Sequence, residues 1–255
     1  MFDLKVLFLL FIVYSITGWI IEVIATYPDT KCFVNRGFFI GPYCPIYGNC
    51  AIAMIFLLHN VTNPILLFVL SILICSIGEY VTSYAMEKIF HARWWNYSKN
   101  KFNLNGRICL VNSLAFGVLG FLLIKFVNPF VVGLITKLSP TTMNVLFYTI
   151  LTLFIIDNVI SFKVIFKIKN MSIKYVHLDN TKEITEKVKK ILSNNILAKR
   201  VFKAFPNIRF KFNLKEKMKV LKDKAVSIKN NYKKWKLWLF FYYFIVKFTH
   251  NFIYW

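Results

Sequence analysis

Five apolar runs separated by short polar loops occupy residues 4–162. They cover 4–26, 41–58, 64–86, 108–127 and 143–162, and the second is long enough only if 41–44 is counted with 45–58. A hydrocarbon core about 30 Å thick takes about 20 helical residues at about 1.5 Å each. Inside lipid a segment must satisfy its own backbone hydrogen bonds, so each run predicts a spanning helix. The fold class expected is an all-α integral membrane protein, a bundle of about five transmembrane helices. Residues 129–138 are too short to span and predict a re-entrant or interfacial stretch. Residues 237–255, rich in Trp and Tyr, predict either an aromatic interfacial helix or a sixth span.

Charge divides the chain differently from hydropathy. It is 57% hydrophobic yet carries a net charge of +22. Residues 1–162 hold 10 Lys and Arg against 6 acids, while 163–255 hold 23 against 5. The expected domains are therefore a polytopic membrane domain over 1–162 and a basic cytoplasmic or membrane-surface tail over 163–255. The first run is too long for a cleavable signal and carries Glu22, so it reads as a retained span. Lys31 and Arg36 follow the first run, and Lys88, Arg93, Lys99, Lys101 and Arg107 surround the loop after the third. The intervening loop 59–63 has no Lys or Arg. By the positive-inside bias this predicts a multi-pass plasma-membrane protein with its N-terminus outside and its tail cytoplasmic. Richness in Lys, Ile, Asn and Phe points to an AT-rich bacterial genome.

An ionisable side chain within a span usually faces a partner or a water-filled path. Glu22, Glu79 and Asp157 qualify, and the basic loops offer Arg36, Arg93, Arg107 and the amide of Asn105. These seven form either structural acid–arginine pairs that fasten the loops or a polar chamber holding a substrate headgroup or ion. The first basic loop contains Gly37, Pro42, Pro45, Tyr47 and Gly48, whose Pro and Gly content predicts a rigid, non-helical backbone. The second carries Trp94, Trp95, Tyr97 and Gly106, with the tandem Trp read as an interface anchor or a stacking platform. A parallel internal repeat is the weaker reading of Gly18 and Glu22 against Gly78 and Glu79. Cys32, Cys44, Cys50, Cys75 and Cys109 form no C-x-x-C pair, so neither metal nor cofactor is expected.

In the tail, 182–205 carries Ile184, Val188, Ile191, Leu192, Leu197, Val201 and Phe205 at helical spacing and predicts one amphipathic helix closed by Pro206. Alternation over 208–215 predicts a strand, and 218–228 returns to helical spacing. Basic amphipathic segments of this kind suit anionic lipids of the inner leaflet. No specific nucleic-acid motif accompanies the charge.

The loop residues also carry a resemblance. Gly18-Trp19, Glu22, Asn35-Arg36-Gly37, Gly41-Pro42, Pro45-Ile46-Tyr47-Gly48 and Glu79 match the bacterial membrane family of putative type IV ABC-transporter permeases. The match continues through Trp94-Trp95, Tyr97-Ser98 and the run from Phe102 to Leu110, and covers about residues 8–161. Asn96 stands where that family usually has Asp, and Phe116-Gly117 where it has Trp-Gly. The resemblance implies a permease role and names no substrate. No G-x-x-x-x-G-K-[ST] occurs, so a pump would need a separate ATPase subunit, docking on the inner loop 87–107 or on the tail. Three readings stand open: the membrane-spanning subunit of an ABC-type transporter, a membrane-embedded enzyme acting on a lipid or lipid-linked phosphate, and a non-catalytic scaffold. No catalytic motif supports the second. A bundle this small makes a homodimer the expected form of a transporter.

Overall fold

A computed structural model describes residues 3–175 and 181–210, with the isolated positions 212, 218, 222 and 226. Met1–Ser172 with Asn180–Lys211 form one compact unit, and Ile173–Asp179 with Phe212–Trp255 form a second. The predicted terminal helix over 237–255 lies outside the described residues, as does most of the 208–228 prediction.

The first unit is an all-α bundle with almost no sheet. Helix α1 (Leu4–Thr30) starts at Asp3, whose carboxylate accepts from the Lys5 amide. Helix α2 (Pro45–Leu58) and helix α3 (Pro64–Phe90) both begin on proline, which suits a first-turn position with no N–H to satisfy. Asn63 caps α3 by accepting from the Ile65 and Leu66 amides. Helices α1 and α3 end on left-handed residues, Lys31 and His91. Each has 27 residues, about 40 Å at about 1.5 Å per residue, so each outruns the hydrocarbon core.

Among the described residues, four helical runs are long and apolar enough to cross a membrane: α1, α3, Leu110–Ile135 and Pro140–Lys174. The third joins helix α4 (Leu110–Leu122), a π turn (Leu123–Val127) and helix α5 (Asn128–Ile135). The re-entrant stretch expected at 129–138 is therefore not separate; most of it continues this helix. Pro129 lacks an N–H and its ring crowds the carbonyl four residues back, and the wide π turn absorbs both defects without ending the helix. The fourth run is helix α6, which passes uninterrupted through the change of composition at Phe162/Lys163.

Helix α2 is the short element, 14 residues or about 21 Å. Residues 41–44, counted with it by the sequence reading, are not helical. They belong to a loop that folds back along α1: Trp19 donates to the Asn35 side chain at 2.8 Å, and the Cys44 amide donates to the Ser15 carbonyl at 2.8 Å. The α1–α2 crossing is close. A Cβ on Gly18 would lie 2.1 Å from the Tyr47 ring, and one on Gly48 would lie 2.2 Å from Ser15 Oγ. On α3 the buried residues Leu67, Ser71, Cys75, Glu79 and Ser83 recur every four positions. Gly117 and Gly120 of α4 meet this side of α3 at Phe68, Ser71 and Ile72, the small-residue packing that membrane helices use in place of a hydrophobic driving force.

The chain alternates between two ends. Loops 31–44 and 91–109 share one end. Loops 59–63 and 136–139 and the start of α1 share the other, where Lys125 Nζ reaches the Val61 carbonyl at 3.4 Å and Lys5 Nζ reaches Asn144 at 2.6 Å.

The amphipathic segment after α6 is two helices, not the single one expected: α7 (Thr181–Ile191) and α8 (Ile196–Ala204). Asn195 breaks the run because its side chain caps α8 through the Ala198 amide at 2.9 Å. The apolar faces of both are turned inward, with Ile184, Val188, Leu192, Ala198 and Val201 buried. Arg209–Phe210 (β4) pairs antiparallel with Ala92–Arg93 (β1), and the predicted alternation holds there, Ile208 and Phe210 buried and Arg209 exposed.

Candidate functional site

Every acid singled out in the spans faces the loop end, and each has a different partner. Asp157 of α6 takes backbone amides. Its carboxylate accepts from the Ile40 amide at 3.1 Å, the Gly41 amide at 2.8 Å, Tyr43 Oη at 2.6 Å and Ser161 Oγ at 2.8 Å. Asn35 covers other polar groups of the same loop, accepting from the Gly37 amide and donating to the Ile40 carbonyl. Irregular backbone persists at membrane depth only where protein satisfies it, and these side chains do so. Pro42 sits exposed beside Asp157's partners, and Pro45 opens α2.

From the tail, Arg200 of α8 donates to the Gly37 carbonyl at 3.0 Å and the Phe38 carbonyl at 2.9 Å. Burial lowers the basicity of Arg200, and the negative charge of Asp157 works against that loss. Arg36 donates to the Ala204 carbonyl and lies over the Phe205 ring at 5.7 Å. Its distance of 3.9 Å to Glu22 is a charge pairing too long for a hydrogen bond. Glu22 instead accepts from Tyr47 Oη at 2.8 Å.

Glu79 of α3 accepts from Tyr97 Oη at 3.0 Å, and its other oxygen is buried with no hydrogen-bond partner among the described residues. The residue is 5% exposed. Tyr97 is held well above its ordinary pKa, first by burial, then by the Glu79 charge and hydrogen bond, and further by Glu22. One phenol therefore senses both acids, and Glu22, Tyr47, Tyr97 and Glu79 gather in one region between α1, α2 and α3.

Arg107, a candidate partner for these acids, pairs elsewhere. Glu87, on the last turn of α3, binds Arg93 Nε at 3.0 Å and Arg107 Nη2 at 3.0 Å. Arg107 also donates to Ser83 Oγ at 3.1 Å and stands over the rings of Tyr80 and Tyr84. Asn105 donates to Tyr80 Oη at 3.0 Å, and its carbonyl accepts from Arg93 Nη1 at 3.1 Å. Asn105 and Gly106 are both left-handed, as a tight hairpin requires, and join strands β2 (Asn103–Leu104) and β3 (Ile108–Cys109). Sequence reading passed over Glu87 because it lies just beyond the apolar run. The signal was its spacing, four residues past Ser83 and eight past Glu79 on one helix face.

Of the tandem tryptophans, Trp94 is an internal brace, while Trp95 is half-buried. Trp94 is 4% exposed and packs against Phe205 with ring centres 5.0 Å apart and against Phe38 at 5.2 Å. Trp95 donates its indole N–H to the Arg107 carbonyl at 3.0 Å. No group of three or more His, Cys, Asp and Glu side chains suited to a metal occurs among the described residues. All five cysteines are free thiols.

The profile of the family described as "Putative ABC-transporter type IV" matches residues 9–162, which take in most of α1, all of α2 to α5, the first part of α6, both loops and all three intramembrane acids. The chain belongs to that family. No curated protein and no solved structure matches it. A type IV ABC-transporter family member of this kind is a transporter-related, multi-pass membrane protein in a bilayer, and α7, α8 and β4 lie beyond the matched region.

Proposed function

We propose that this chain is the membrane-spanning subunit of an ABC-type transporter, coupled to a separate P-loop ATPase at the loop end of the bundle. Its N-terminus lies outside and its tail in the cytoplasm. The observation that carries this reading is the Glu22–Tyr47 and Tyr97–Glu79 grouping. Two carboxylates with phenol partners, one of them with no paired cation among the described residues, sit between three helices at a depth where a purely structural acid is costly. Glu22, Tyr47, Tyr97 and Glu79 line the polar part of the substrate path, while Asp157, Asn35 and Glu87 hold the loops that form its wall. The family match supports the transporter class, and the chain's lack of a nucleotide-binding motif supports a second subunit. The clustering of Lys and Arg in loops 31–44 and 91–109 supports the orientation.

Affinity purification of the full chain from native membranes in a gentle detergent tests this. A P-loop ATPase recovered in stoichiometric amount supports the reading. A single pure species at every yield and detergent contradicts it and returns weight to a lipid-acting enzyme or a scaffold.

A further inference from the structure

The α8 segment does more than fasten the first loop. Between them runs a groove of about 310 Å³, a size suited to a small ligand. Phe33, Val34 and Ile196 supply its apolar wall, and Lys199, Arg200 and Lys203 its polar edge. Among the described residues no carboxylate lines it. The two lysines are exposed, and Arg200 is engaged by the loop carbonyls. Lys203 Nζ lies 3.5 Å from the Phe33 carbonyl, a weak contact that leaves most of its donor capacity free.

Two apolar side chains here are unusually open, Phe33 at 61% and Ile196 at 83% exposure. Phe33 packs edge-on against Trp19 of α1 with ring centres 6.0 Å apart, and Ile20, the next residue of α1, and Ile24, one turn beyond Ile20, are also exposed. The apolar wall therefore abuts a membrane-spanning helix, close to where that helix leaves the hydrocarbon. The buried inner faces of α7 and α8 cannot serve as a lipid-binding face, whereas this edge remains open.

We propose that the groove is a specific site for one anionic phospholipid. Its phosphate would sit between Lys199 and Lys203, with acyl chains along Phe33 and the exposed isoleucines of α1. Charge complementarity selects the headgroup: two ammonium groups and no acid favour a net negative lipid over a zwitterionic one. The proposal needs membrane insertion only, and it stands or falls separately from the transporter reading.

The test uses the full chain in nanodiscs containing equal phosphatidylglycerol and phosphatidylcholine, released and weighed by native mass spectrometry. One phosphatidylglycerol per chain is expected to survive release. Loss of two lysines is worth about thirtyfold at the usual contribution per lysine, so retention should fall by more than this in the Lys199→Glu/Lys203→Glu double variant. Lys199→Gln/Lys203→Gln removes charge alone and should lose the lipid as well while keeping the wild-type elution profile. Lys99→Glu/Lys101→Glu, on the other loop, should retain it. Equal retention of both lipids, undiminished retention in the Gln variant, or displacement by inorganic phosphate overturns the assignment.

Discussion

Asp157 and Arg200 grip opposite sides of one peptide segment. The carboxylate takes the amides of Ile40 and Gly41, while the guanidinium takes the carbonyls of Gly37 and Phe38. The peptide dipoles of residues 37–41 thus run between a negative and a positive group, one from α6 and one from α8. A loop that would expose unpaired backbone near lipid is held by two charges that need no direct contact with each other.

Asp157→Ala should release this loop. It leaves the Gly41 amide and the Tyr43 hydroxyl unpaired and the Ile40 amide with Ser161 Oγ alone, and hydrogen bonds to a charged group contribute about 1.5–3 kcal/mol each. A loss of about 3 kcal/mol in detergent stability is expected, with new proteolytic cleavage in 31–44. Arg200→Ala should act on the same loop, so the double variant should lose less than the two single losses combined.

Glu79 and Glu87 should behave oppositely. Glu87→Gln leaves the buried Arg107 without its acid, at a cost of about 3–5 kcal/mol. Glu79→Gln removes a charge that has no cation and should leave stability unchanged or higher. Thermal unfolding of the two variants side by side checks this, and equal destabilisation would show that Glu79 is a structural acid after all.

Gly48→Ala should disrupt the α1–α2 crossing, since the added methyl would also lie 2.5 Å from the Phe11 carbonyl. Overpacking of this kind costs about 1–3 kcal/mol. Gly133→Ala meets nothing within 4 Å and should be silent. Size-exclusion profiles of the two variants give the comparison.

The two ends of the bundle should label differently in whole cells. Lys137→Cys is expected to react with an impermeant maleimide, whereas Lys99→Cys should react only after permeabilisation. The reverse pattern would invert the proposed orientation.

How far the sequence was legible depended on whether a residue's partner was local. The apolar runs identified α1, α3 and α6 because burial in lipid needs only length and hydropathy. Asp157 stood out as an intramembrane acid, yet its partners are main-chain amides, which no side-chain pattern displays. Arg200 lies 163 residues from Gly37, so nothing in the spacing links them. Separation in sequence also hid the burial of Trp94 under Phe205: beside basic residues, a Trp pair reads as an interface anchor until the covering segment is known. Glu87 was missed for a simpler reason, a run boundary drawn one residue too early.

The central claim is that a P-loop ATPase docks at the end formed by loops 31–44 and 91–109. Site-specific photocrosslinkers placed at Lys99 and Lys101, and separately at Lys137, test it in native membranes. Capture of one P-loop ATPase from positions 99 and 101, and none from 137, is expected. Capture from 137, or no P-loop protein from either end, would contradict it.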